Sequence, residues 1–83
     1  MPYIKELDRS KYNNILNLLP EMTVKGELEY CIAYLQKLYM KNKEFRYSIL
    51  HDCTYATIHA GDEFRRRYLD VRENQAIKEN GDI

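Results

Sequence analysis

His59, Asp62 and Glu63 stand at positions i, i+3 and i+4. On a helix they project from one side, and an imidazole beside two carboxylates is a donor set for a divalent cation. Metal centres in helical bundles use a related step, Glu-x-x-His, with inward-facing ligands from several helices. In this chain the order is reversed and the pair occurs once. Glu27 and Glu29 are the nearest further oxygens, but two helical positions set them about 160° apart, so only one can turn toward a shared ion. The nearest reading to an enzyme is a metal-assisted hydrolase, with His59, Asp62 and Glu63 as metal candidates, and it is the least favoured of the functional readings. Such chemistry needs several acids converging on one spot. The plainer reading is a solvated helix face shared with His51, Asp52, Tyr55 and Arg66, laced by pairs such as Asp62–Arg66.

A second group is basic. Lys41, Lys43 and Arg46 flank a charged break, and Arg65, Arg66 and Arg67 are consecutive. Together they are candidates for binding an anion or the phosphates of a nucleic acid. Three consecutive arginines splay around a helix and form no single contact plane. Arg67 falls toward the apolar side, where its stem can pack and its head reach out. Glu73, Glu79, Asp82 and the terminal carboxylate are expected to pair with Arg65, Arg66, Arg67 and Arg72.

Signatures of catalysis are missing. The chain has no glycine-rich phosphate loop, no GxSxG and no HExxH. Cys31 and Cys53 lie on apolar stripes of separate helices, where thiols are inert packing, and they form no CxxC. No catalytic residue, cofactor-binding residue or cofactor is predicted, and the reading leans away from an enzyme.

The elements that must position these groups are helices. Pro2, Tyr3 and Ile4 form an extended lead-in. Asp8 or Ser10 is expected to cap a first helix whose apolar face is Tyr12, Ile15, Leu16 and Leu19, stopped by Pro20. With Thr23 as its cap, a second helix runs from about Gly26 to Lys41 and carries Leu28, Cys31, Ile32, Leu35, Leu38 and Tyr39 on one stripe. The third begins near Tyr47. Ile49, Cys53, Ala56, Ala60, Phe64 and Val71 share one side of it, and Ala56 and Ala60 are small enough for another helix to approach closely. It is expected to run close to Val71, with a break or second segment carrying Ala76 and Ile77. Gly81 then ends the helical part. No segment alternates strictly, so the fold class is all-α: one domain, residues 1–83, a small bundle of three main helices with a docked C-terminal tail.

The length sharpens this. A chain of 83 residues builds a small, marginal core, and oligomerisation is a common remedy. Thirteen basic and thirteen acidic side chains leave a formal net charge of zero, which argues against nucleic acid and against an anionic membrane surface. No apolar run is long enough to span a bilayer, and the opening "MPYIKELDRSKY" is too polar for a secretory signal. A cytoplasmic chain is expected. Eight tyrosines and no tryptophan suit a core rim and a subunit contact. Self-association, as a homodimer acting through protein–protein contacts, is the leading expectation.

The segments "MPYIK", "GELEY" and "IKENGDI" carry a resemblance. The chain resembles a family of short uncharacterised bacterial, archaeal and phage-associated proteins that open MPYI, carry a GELNY-like segment and end ENGDV or similar. In that pattern an aromatic residue and two arginines follow a glutamate in the last long helix. Glu63, Arg66 and Arg67 match it, with Arg65 in the aromatic place. Glu29 stands where the family has asparagine, and Ile58 where a glutamate is expected. The resemblance implies a stand-alone domain whose two ends belong to the fold, and it brings no activity.

Overall fold

The computed structural model describes residues 2–83. Its elements are α1 (Glu6–Leu16), α2 (Lys25–Met40), α3 (Tyr47–Phe64), a π-helical turn (Arg65–Leu69) and α4 (Asp70–Asn80). No strand occurs among the described residues. The all-α expectation holds, and α3, the π turn and α4 join without interruption as a single long rod. The longest dimension of the molecule is 51 Å, about what a helix from Tyr47 to Asn80 spans at 1.5 Å per residue.

Local chemistry explains most of the boundaries. Helix α1 starts ahead of both expected caps. Its N-cap is Lys5, with no side-chain cap, so Asp8 and Ser10 lie inside it. Glu6 and Asp8 sit in its first turn, where the partial positive charge of the free amides favours acids. Turns through Leu19 separate its end from Pro20. Helix α2 begins within a residue of its expected start, but Thr23 is not its cap. Val24 holds that place in extended conformation, and the Glu27 carboxylate folds back to accept from Thr23 N at 2.7 Å, Thr23 Oγ1 at 3.1 Å and Val24 N at 3.2 Å. This is the returning half of a capping box, with a glutamate at N3. Beyond α2 the chain turns through Asn42 at φ 64, a left-handed conformation that asparagine tolerates better than most residues.

The π turn shifts the register of α4 relative to α3. The Asp70 N–H bonds to Arg65 O, five residues back. One extra residue in a turn sets every later side chain back by about 100°. Val71, which a continuous α-helical count places on the apolar side of α3, lies beyond this turn and is half exposed.

The docked tail is a correction. Ile77 is 43% exposed and Ile83 is fully exposed, and α4 approaches no other helix closely within the chain. Gly81 does turn the chain, at φ 88 and ψ 151, donating its N–H to Ile77 O at 2.8 Å. That conformation is essentially confined to glycine.

Packing within the chain is sparse. Among the described residues only α2 and α3 pack side by side, and no Cα of α1 comes within 8 Å of another helix. Cys53 is the one buried apolar side chain among the described residues. The radius of gyration is 16.4 Å, against about 12 Å for a compact domain of this length. The helices of the expected bundle are present, but a single chain does not close them around a core.

Candidate interaction surface

Helices α2 and α3 are held by a small polar latch. Gln36 Nε2 donates to Thr57 Oγ1 at 2.7 Å and to Cys53 O at 3.2 Å. Thr57 Oγ1 donates to the same Cys53 carbonyl at 3.0 Å. The Cys53 thiol donates in return to Gln36 O at 3.6 Å. This fixes a crossing point from which the two helices diverge and leave a groove of about 950 Å³. Leu28, Ile32 and Leu35 line its α2 wall, and Ala56, Ala60 and Phe64 its α3 wall. Leu28, Leu35 and Phe64 are 48%, 52% and 64% exposed. The groove is lined mainly by apolar side chains and is open to water.

A ladder of rings borders the groove. Tyr47, His51, Tyr55 and His59 recur at four-residue intervals on α3, with centroids 5.8, 4.2 and 6.2 Å apart. At the far end of α2, Tyr39 donates its hydroxyl to Asp52 at 3.2 Å. That hydrogen bond to a carboxylate, reinforced by the charge of Asp52, raises the Tyr39 phenol above its ordinary pKa.

The metal candidates divide between different tasks. His59 ends the ring ladder. Glu63 accepts from Arg66 Nη2 at 2.5 Å, from Arg66 Nε at 3.1 Å and from Tyr3 Oη at 3.0 Å. The Arg66 hydrogen bond is the largest cause of a lowered Glu63 pKa, and Tyr3 adds to it. The expected Asp62–Arg66 pair gives way to this i,i+3 pair. Among the described residues no three of His, Cys, Asp and Glu come together as a cation would need.

The basic candidates sit in two places. Arg65 lies about 28 Å along the helix from Arg46. Lys43 Nζ stands 4.0 Å from the centre of the Tyr39 ring and donates to Tyr39 O, and Arg46 pairs with Glu44 at 3.5 Å. In the arginine run, Arg65 pairs with Asp70 at 3.6 Å and Arg66 with Glu63. Arg67 donates to Tyr3 Oη at 3.3 Å and lies 5.3 Å from the centre of the Tyr68 ring. Of the four arginines expected to pair with tail acids, Arg72 does so, with Glu79 at 3.9 Å within α4, while Arg65, Arg66 and Arg67 take other partners.

Sequence reasoning missed Tyr3, Gln36 and Glu27. Glu27 was legible, because a glutamate three residues into a helix is the standard partner of its N-cap amide. Tyr3 and Gln36 carry no local signal. Their partners are distant in sequence and meet them only in the folded chain.

A family profile described as a domain of unknown function, DUF6899, matches residues 1–83. The chain belongs to this family. No curated protein matches it, and no solved structure does. The match covers both ends of the chain, so the lead-in that carries Tyr3 and the helix that ends at Asn80 both fall within the DUF6899 domain. Among its described residues no helix is long and apolar enough to cross a membrane.

Proposed function

We propose that this DUF6899 protein is a non-enzymatic helical protein that acts through protein–protein contacts, in the first place with a second copy of itself. One observation carries this reading. The chain exposes 7943 Å², whereas a compact monomer of 10.0 kDa is expected to expose about 5,200 Å². The surplus is apolar in character, since Leu7, Leu18, Phe45 and Tyr47 are all more than 80% exposed. An isolated helix as short as α1 is marginal in water and takes its stability from packing. Within its own chain no helix comes within 8 Å of α1 by Cα, which supports a partner as the source of that packing. Homodimers are the commonest closed assemblies and bury self-complementary patches. The tyrosine excess fits such a contact, because tyrosine combines an apolar body with a polar tip. We also infer that the MPYIK, GELEY and IKENGDI patches mark relatives in bacteria, archaea and phages, and that the working compartment is the cytoplasm.

Size-exclusion chromatography with light scattering tests the reading. A mass of twice 10.0 kDa at micromolar concentration is the expected result. A monomer persisting at several hundred micromolar overturns it.

A further inference from the structure

We infer that the second copy sits in the groove between α2 and α3, with the α3 helices of the two copies crossing over Ala56 and Ala60. This rests on the homodimer reading and specifies its contact. The surplus surface of about 2,700 Å² per chain, taken against a compact monomer, is about 5,400 Å² over two copies, at the upper end of what obligate homodimers bury. The apolar groove of about 950 Å³ lies on the α2–α3 pair, the only pair of helices that packs side by side among the described residues, so a helix laid along it meets the one preformed part of a core.

The shape of the groove selects the occupant. Its α3 wall carries Ala56 and Ala60, one turn apart, and Gly61 beside them, all exposed. A Cβ built on Gly61 meets no atom within 4 Å, so packing inside the chain does not require a glycine there. Small side chains at a crossing let helix axes come to the short end of the 8–10 Å range. On a two-fold axis the same small residues meet from both sides, which is what an isologous contact requires. The larger Leu28, Leu35 and Phe64 stand to either side of the floor. Brought around the axis, each set enters the groove of the other copy and loses its exposure to water. The product is a four-helix core of two α2 and two α3 helices, with Cys53 and the Gln36 latch already in place. The ring ladder of Tyr47, His51, Tyr55 and His59 then lies along the rim of the contact, where amphipathic rings belong.

Two variants and a trap test the placement. Ala60→Arg puts a good helix former on what is an exposed face of the single chain, so a monomer tolerates it with unchanged helicity. The expected result is a loss of the dimer by light scattering, with at least a hundredfold rise in dissociation constant. Ile77→Arg on α4 is the matched control and should leave the dimer intact. Because a disrupted dimer can also unfold, the trap is independent of that outcome. In a Cys31→Ser background, Ala60→Cys treated with a short bis-maleimide should give a covalent dimer in high yield, and Ile77→Cys should not. A dimeric wild type whose association is untouched by Ala60→Arg overturns the placement and leaves the homodimer reading standing. Cross-linking through Ile77→Cys or Leu7→Cys in preference to Ala60→Cys has the same consequence, and assigns the contact to α4 or α1. A wild type that is monomeric throughout overturns both.

Discussion

Tyr3 donates its hydroxyl to the carboxylate of Glu63 at 3.0 Å, across sixty positions of the chain. The same hydroxyl accepts from Arg67 Nη1 at 3.3 Å. Tyr3 therefore joins the N-terminal lead-in to the end of α3 and to the π turn beyond it. Removing the hydroxyl alone, with Tyr3→Phe, should lower the melting midpoint by a few degrees. It should also release the lead-in, read as faster amide hydrogen exchange at Tyr3 and Ile4. Unchanged exchange there would mean that the ring, and not the hydrogen bond, holds the segment.

Acid should weaken the fold through Glu63 and Glu27. Arg66 holds Glu63 below the ordinary carboxylate range, and the Thr23 and Val24 backbone amides hold Glu27 below it. A carboxyl whose folded pKa is depressed contributes stability that is fully present above its unfolded value, about 4.3. That contribution is lost as pH falls through the folded value. Melting midpoints measured from pH 7 down to pH 3 should fall most steeply below that point. Glu63→Gln should flatten the profile, and parallel profiles for variant and wild type would refute the assignment.

Gln36 holds α2 to α3 with two hydrogen bonds. Its replacement by alanine should cost about 1 kcal/mol, or about 4–8 °C in midpoint for a domain of this size. Thr57 keeps its own bond to Cys53 O, so Thr57→Val in the Gln36→Ala background should add less than it does alone. Additive losses in calorimetry would show that the two side chains act independently.

The turn into α2 depends on Glu27. Glu27→Ala should speed amide exchange at Thr23 and Val24, whose N–H groups then have only water to bond, and leave the centre of the helix protected. Glu27→Gln should retain part of the protection, because an amide oxygen still accepts.

If a second copy completes the core, folding and association are one equilibrium. The melting midpoint should then rise with protein concentration over a hundredfold range. A midpoint independent of concentration would show that the single chain is stable as it stands.

The helices were largely legible in the sequence because their signals are local. Leu28, Ile32 and Leu35 repeat at helical spacing, the start near Tyr47 comes after a run of charge, and Gly81 supplies a conformation that other residues avoid. The arginine run was legible as a feature, but its partners were not. Arg66 chose Glu63 over Asp62, Arg67 chose Tyr3, and Arg65 chose Asp70. Each choice depends on rotation about the helix axis, and the π turn changed that rotation between Phe64 and Asp70. The tail stays undocked as well, with Ile77 and Ile83 exposed. Periodicity determines which residues form helices, because each turn is built from near neighbours. Only the tertiary structure decided how those helices share a core. Among the described residues one pair is packed and most other large apolar side chains stay exposed, because packing between helices depends on distant partners that no local pattern encodes.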